Sequence, residues 1–364
     1  MLKLIFPVLK AKICRRLDRL AVPYKINLHI TYSCNSRCKT CFIWKKYRKR
    51  PELKNKELKA SDWKEFFKKM GDRLYWISIS GGEPFLREDL AEIISSMDMK
   101  NLCIMSINTN GQLPEKTYNI TRETLEIIPE NTKVFLAVSL LGFENTHNFV
   151  SGKKNAFEKS KKTYEKLKSL QSEYKNFYLE RELVVNKHNL NELEEITDSL
   201  NREKIPFTFT FAQESKYYDN TGKEVGLSPQ EKQRVAEILR TLRIPLYQKA
   251  DIMKNIFKKI AIKFFEKGEI PKCYSSWCSV RIDPYGNVYP CIMRDDVIGN
   301  LVENGMDLEK TMLKSKKLKR IQKEIKNKEC SCWTPCEAYQ NIVQNFHFSI
   351  QTLKTVFKST KKVS

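Results

Sequence analysis

Thr31-Tyr32-Ser33-Cys34-Asn35-Ser36-Arg37-Cys38-Lys39-Thr40-Cys41 sets three cysteines at C-x3-C-x2-C spacing directly after the run 26–32. That run carries Ile and Thr and reads as a β-strand. The cysteines then lie in a loop at the C-terminal end of a parallel strand, the end where barrel folds gather their chemistry. Three thiolates in one loop suit three corners of a cubane [4Fe–4S] cluster. No fourth protein ligand is evident, which leaves one iron open for a small molecule. Zinc is the rival metal, but no His or fourth Cys lies nearby to close a tetrahedral site. His29, inside the strand, reads as packed or pointing into the barrel.

Five further strand-like runs follow, at 75–80, 102–108, 134–140, 177–185 and 207–212, each rich in Ile, Val, Phe or Thr. Helical patterns lie between them, at 62–70 with Ser61 as its expected cap, then at 88–97, 122–128, 156–173 and 190–202. Strand–helix alternation predicts a parallel sheet with crossover helices. Six units fall short of a closed eight-unit barrel. The expected fold is α/β, a partial (βα)6 TIM-like barrel with a small cysteine-rich α+β C-terminal domain. Across 217–228 the pattern breaks, with Asp219, Asn220, Gly222 and Gly226 marking loops. Ser228-Pro229 opens a long helical stretch to about Gly268, and the cysteine-rich module follows Pro271. The expected divisions are a basic amphipathic segment (1–23), the core barrel (24–226), a helical linker (227–271), the cysteine-rich domain (272–340) and a basic helix or tail (341–364).

The chain has 364 residues, with 66 Lys and Arg against 43 Asp and Glu, a formal charge of +23. Its 41% hydrophobic and 30% charged residues exclude a mostly disordered chain. The sequence has no apolar run of about 18 residues or more, which excludes a spanning helix. The positive charge admits a nucleic-acid partner. However, no specific nucleic-acid motif is found, and much of the Lys excess, as in 314–328, reads as a solvated helix face. Nine of the eleven cysteines fall in two clusters. On a chain too long to need a disulfide scaffold, that pattern reads as metal binding. Cys103 reads as a buried core thiol, and Cys14 has no assigned role.

The two ends are basic. The apolar run 4–9 is interrupted by Pro7 and followed by Lys10, Lys12, Arg15 and Arg16, with no small-residue cleavage site. The expectation is a chain that starts at Met1 and stays in a reducing, cytoplasmic compartment. Two readings stay open for this stretch, a helix packed on the domain and an amphipathic surface helix. Residues 338–364 contain no Asp or Glu and place Lys354, Lys358, Lys361 and Lys362 among apolar residues. Two such ends raise peripheral contact with an anionic membrane.

With Ser80-Gly81-Gly82-Glu83-Pro84 after the second strand, the chain resembles the radical S-adenosylmethionine (SAM) superfamily. The C-x3-C-x2-C loop is that family's signature. The resemblance implies that Cys34, Cys38 and Cys41 bind a [4Fe–4S] cluster. It also implies that the Gly81, Gly82, Glu83, Pro84 turn holds the amino group of SAM. Paired glycines allow close backbone approach, and a carboxylate suits an ammonium. Asn108-Thr109-Asn110-Gly111 is similar to the family's Thr-Asn-Gly turn, and Ser139-Leu140-Leu141-Gly142 to its Ser-Leu-Asp-Gly. Asn108 and Ser139 are thus candidate SAM contacts. Leu141 replaces the Asp, and Ser151 stands before Gly152 where Arg is usual. Thr40 replaces an often aromatic adenine contact, with Phe42 and Trp44 just beyond. Arg181 is a candidate partner of the SAM carboxylate or of Glu180 or Glu182.

The second cluster runs Cys273…Cys278…Asp283-Pro284-Tyr285-Gly286-Asn287…Cys291, then Cys330-x-Cys332-x3-Cys336. Asp-Pro-Tyr-Gly-Asn between strand-like flanks signals a hairpin. The whole resembles the SPASM or shorter twitch auxiliary domain of radical SAM enzymes. Twelve residues separate Cys273 from Gly286, and Gly286-x4-Cys291 fits that domain's mark. Six cysteines rather than about seven favour one auxiliary [4Fe–4S] cluster. The preferred ligands are Cys273, Cys291, Cys332 and Cys336, with Cys278 and Cys330 as substitutes. A zinc ribbon is the rival for this module.

The resemblance implies an enzyme that reductively cleaves SAM to a 5′-deoxyadenosyl radical, which abstracts hydrogen from a substrate. That substrate would be a peptide or protein, a sugar or a lipid-linked precursor. The auxiliary cluster would transfer electrons or bind substrate. A reductant such as flavodoxin or ferredoxin is the implied partner. An acidic base beside the auxiliary cysteine is replaced here by Ile292, so no catalytic base is assigned. The rival classes are a zinc-containing nucleic-acid-binding protein and a non-catalytic Fe–S electron carrier.

Overall fold

The computed structural model describes residues 2–247, 251–330 and 332–345. The expected basic tail lies outside the described residues from 346 onward. Nine strands form one sheet: β1 (Lys25–Thr31), β2 (Trp76–Gly81), β3 (Ile104–Thr109), β4 (Lys133–Leu140), β5 (Phe177–Val185), β6 (Phe207–Phe211), β7 (Ser279–Ile282), β8 (Asn287–Tyr289) and β9 (Gly299–Asn300). Their order is β6-β5-β4-β3-β2-β1-β7-β8-β9. The first six are parallel in chain order, as strand–helix alternation predicts. β7 then joins β1 in parallel, and β8 and β9 extend the sheet antiparallel. The hairpin of the cysteine-rich module is therefore continuous with the barrel's sheet.

β1 explains how the barrel divides its two faces. Ile26, Leu28 and Ile30 enter the main apolar core with Ile77, Ile79, Met105, Ile107, Val134 and Leu136. Because strand side chains alternate, Lys25, Asn27, His29 and Thr31 share the opposite, inner face. That face continues with Ser78, Ser106, Asn108 and Glu182. Ser106 Oγ donates to Ser78 Oγ at 2.8 Å, and Asn108 Nδ2 to Glu182 Oε2 at 2.8 Å. A second core closes the open side beyond β6. There Phe209 and Phe211 pack with Phe257 and Trp333, whose rings stack at 5.2 Å.

Several local expectations need correction. The helix expected from 62 spans Ala60–Met70. Ser61 is inside it, and Asp62 instead accepts the Lys59 N–H at 2.8 Å. The helix expected from 122 begins at Pro114, whose missing N–H is tolerated in a first turn. The long helical stretch is two helices, Pro229–Thr241 and Asp251–Lys267. Pro245 lies between them and cannot continue a helix. Its start follows the expected signal, with Ser228 and Glu231 capping each other's backbone N–H groups.

Candidate functional site

The pairing of β1 with β2 slips between His29 and Thr31, a bulge that re-aims the chain where the cysteine loop begins. The loop is then held from four sides. From β2, the Gly82 and Glu83 N–H groups donate to Thr31 O at 2.7 Å and Ser33 O at 2.8 Å. From the end of β3, Asn110 Nδ2 donates to Asn35 Oδ1 at 2.7 Å and faces Cys34 Sγ at 3.8 Å. From beyond β4, Ser151 O and Val150 O accept the N–H groups of Arg37 and Lys39, both at 2.8 Å. From beyond β6, Tyr218 O accepts the Phe42 N–H at 2.8 Å, and Asn220 Nδ2 donates to Thr40 O at 2.9 Å.

The glycines of the β2 turn are required by close backbone approach within the protein itself. A Cβ on Gly81 would stand 2.3 Å from Thr31 O, and one on Gly82 2.1 Å from Ser33 O. Both therefore admit the cysteine loop's own backbone. Gly152, at φ +65°, does the same for Arg37 O, which a Cβ would approach to 2.6 Å. Glu83 is buried. Its carboxylate accepts from Thr109 Oγ1 at 2.9 Å, Asn110 N at 2.7 Å and Phe85 N at 3.2 Å. Burial outweighs these bonds and pushes its pKa up to about 7. An ammonium brought to this carboxylate would favour its charged form.

Burial pushes the Cys34 thiol up to about 12 and the Cys41 thiol up to about 11, and holds Cys38 well above the ordinary range. Cys34 and Cys41 add to the rise at Cys38. Buried thiols that disfavour one another's charge are a donor set that a positive metal centre would reverse. In that sense the residues fit an iron–sulfur cluster. Among the described residues, no group of three or more His, Cys, Asp or Glu is gathered as a single metal ion requires.

The other expected SAM contacts fall unevenly. Asn108 binds Glu182 on the inner face. Ser139 is half-buried, and its carbonyl accepts from Ser160 Oγ at 3.0 Å. Arg181 faces the other way, with its guanidinium on Ser160 O and Oγ and over the Tyr164 ring. Neither Glu180 nor Glu182 pairs with it. Glu180 pairs with Lys254 at 2.7 Å, and β5 alternation puts Arg181 on the helix side. Leu141 is buried and serves through its backbone, with its N–H on His147 Nδ1. Trp44 Nε1 donates to Cys38 O at 3.4 Å. His29 is on the inner face, stacked on Tyr217 at 4.4 Å.

In the second cluster, Cys332 is held well above the ordinary thiol value by burial, then by Cys291 and Cys273. Cys291 and Cys273 are likewise raised by burial and by Glu337. Cys291 and Cys273 both add to the rise at Cys332. Cys336 and Cys41 both pack against the small apolar cluster of Tyr32, Ile43, Tyr217 and Ile292. Cys278 is buried in the main core and donates to Tyr274 O at 3.1 Å. Cys330 is exposed. Cys103 is half-buried, with its thiol on Asn101 O.

Three further features depend on contacts that no local sequence pattern signals. The stretch after β6 carries only loop signals in sequence, yet it packs on the cysteine loop and β2, with Tyr217 Oη donating to Gly81 O at 3.2 Å and Tyr218 O accepting the Phe42 N–H. In sequence, Glu182 stands out only as a neighbour of Arg181. Glu337 follows Cys336 directly, and that adjacency was its one available signal.

Two family models match the chain. The radical SAM superfamily model covers residues 28–200, and the SPASM iron–sulfur cluster-binding domain model covers 273–338. Fe-coproporphyrin III synthase of Methanosarcina barkeri is 30% identical over 181 residues, 49% of this chain and 41% of that protein. The antilisterial bacteriocin subtilosin biosynthesis protein AlbA of Bacillus subtilis is 22% identical over 299 residues, 80% of this chain and 60% of that protein. The matches thus span less than two thirds of either relative. The solved structure of native anSMEcpe with bound AdoMet has the same fold, with a TM-score of 0.55 and 16% identity over 92% of this chain and all of that one. Residues 28–200 thus belong to the radical SAM superfamily, and residues 273–338 form a SPASM-type domain. Membership brings a [4Fe–4S] cluster, SAM and auxiliary iron–sulfur binding.

Proposed function

We propose that the protein is a SAM-cleaving enzyme, with Cys34, Cys38 and Cys41 holding the SAM-binding cluster. Its second site would be built from Cys273, Cys291, Cys332 and Cys336. The observation that carries this reading is the four-sided anchoring of the cysteine loop against the Gly81–Glu83 turn. When bound and reduced, the cluster would supply the electron that splits SAM and generates a hydrogen-abstracting radical. Glu83, fixed by β3, is the group for SAM's ammonium. Asn108 and Ser139 remain candidate contacts on the same inner face. Tyr217 and Tyr218 exclude water from the loop. Anaerobic incubation with SAM and dithionite tests the reading through 5′-deoxyadenosine. Its formation by the reconstituted chain is expected, and its absence at full iron loading would refute the assignment. A low-potential carrier such as flavodoxin or ferredoxin would be the reductant. The functional units would be 24–226, 227–271 and 272–340, the first and last contributing strands to one sheet and the middle one two helices.

Glu182 gives a pH prediction for the metal-free chain. Burial pushes its pKa up to about 7, and Asn108 pulls it partly back. Below the ordinary value of 4.5 it is protonated in folded and unfolded chains alike. As pH rises from there to about 7, the unfolded chain releases its proton first, so stability falls across that window. Glu182→Gln removes this share of the fall. Urea unfolding at both ends of the window measures it, and an unchanged slope would contradict the shift.

The proposal extends to a surface. On the helix Ile5–Arg16, Pro7 and Ala11 are buried. Phe6 is 71% exposed and Ile13 56%, with Ile5, Leu9 and Leu17 alongside. Lys10, Lys12 and Arg16 flank this apolar face in the open, which suits an anionic lipid surface. Among the described residues, no helix is long and apolar enough to cross a membrane. The full chain should co-sediment with phosphatidylglycerol-containing vesicles but not with phosphatidylcholine alone. Phe6→Ser with Ile13→Ser should lose most of that binding. Equal binding by the variant would overturn this contact.

A further inference from the structure

The auxiliary cysteines lie on three stretches, at 273–278, at 291 and at 330–336, and one carboxylate beside the last of them bonds to the other two. Glu337, 2% exposed, accepts from Ser275 Oγ at 2.7 Å, two residues past Cys273. It accepts from Ser279 Oγ at 2.9 Å, next to Cys278. It also accepts the N–H of Ile292, next to Cys291, at 3.2 Å. Gln340 Nε2, on its own helix Pro335–Gln344, donates to it as well. Asn27 Nδ2 on the inner face of β1 adds a fifth bond at 3.3 Å. Lys25, two residues earlier on that face, donates to Cys336 O. Every bond to Glu337 is accepted by it, the pattern of a carboxylate rather than an amide.

We infer that Glu337 is the positioning residue of the auxiliary iron–sulfur site, fixing the three ligand segments to one another and to the barrel. The inference rests on the auxiliary-cluster reading given above. It predicts two separable effects. Loss of the carboxylate frees Ser275, Ser279 and the Ile292 N–H, so the ligand segments lose register and the site loses its cluster. Loss of the charge alone acts differently. In Glu337→Gln the remaining oxygen keeps the Ile292 N–H, the two serine hydroxyls can turn to accept from the new amide's two N–H groups, and Gln340 Nε2 keeps its bond to Ser279 Oγ. The site then keeps its cluster with one negative charge fewer beside it. A cluster becomes more negative on reduction, so removing a nearby negative charge raises its potential.

The test uses the full chain, reconstituted anaerobically, with iron counted and both clusters followed by redox titration with electron paramagnetic resonance. Wild type should hold about eight irons. Glu337→Ala should fall to about four, keep the SAM-responsive signal of the first cluster and still make 5′-deoxyadenosine, which shows that the barrel is folded. Glu337→Gln should keep about eight, with the auxiliary potential shifted upward and the first cluster's unchanged. Full iron in Glu337→Ala, or an unmoved auxiliary potential in Glu337→Gln, would overturn the inference. A wild-type chain with only about four irons would instead remove the auxiliary-cluster reading, and this inference with it.

Discussion

Cys38→Ala ends SAM cleavage. Anaerobic chain carrying this change, given SAM and dithionite, should make 5′-deoxyadenosine more than about 100-fold slower than wild type, beyond the usual cost of losing an outer partner of a metal ligand. Cys38 is the middle cysteine of the loop, raised by burial and by Cys34 and Cys41, so its loss leaves the other two thiols without the third corner. The loop itself should survive. Its anchors at Arg37 and Lys39 are backbone bonds to Ser151 and Val150, which the substitution does not touch. Thermal unfolding of the metal-free variant should therefore match wild type. Undiminished 5′-deoxyadenosine would remove Cys38 from the site.

Gly82→Ala acts on the same loop from the opposite side. The new Cβ would lie 2.1 Å from Ser33 O and 2.7 Å from Ser33 C. Both are backbone atoms of a segment pinned on every side, so neither can yield as a flexible side chain would. The cost should reach or exceed the upper end of overpacking, about 3 kcal/mol. Part of it will appear as displacement of the turn from the loop. Melting temperature, loading of the first cluster and SAM affinity should fall together. Gly226→Ala is the control, because nothing lies within 4 Å of the added atom. Wild-type iron loading and SAM affinity in Gly82→Ala would show that the turn does not depend on this close approach.

The strands were readable because an α/β barrel separates its faces by period. In β1 the apolar Ile26, Leu28 and Ile30 alternate with Lys25, Asn27 and His29, and both sets are buried. The cysteine loop was readable because its three residues are adjacent in sequence. What stayed hidden depends on contacts between distant segments. The Gly81–Gly82 pair reads as room for a ligand until the loop backbone is seen against it. Arg181 reads as a partner for neighbouring carboxylates, but strand alternation turns it away from them. Glu337 joins residues 27, 275, 279 and 292, a relation that no local pattern encodes. Nor could strand order past β6 be read, because β7 pairs with β1 across most of the chain.

The most direct measurement is iron and sulfide per chain after anaerobic reconstitution, for wild type and for a variant lacking Cys34, Cys38 and Cys41. The account predicts about eight irons in wild type and about four in the variant, with matching sulfide. Almost no iron in the variant, with zinc bound instead, would contradict it and make the second module a zinc fold.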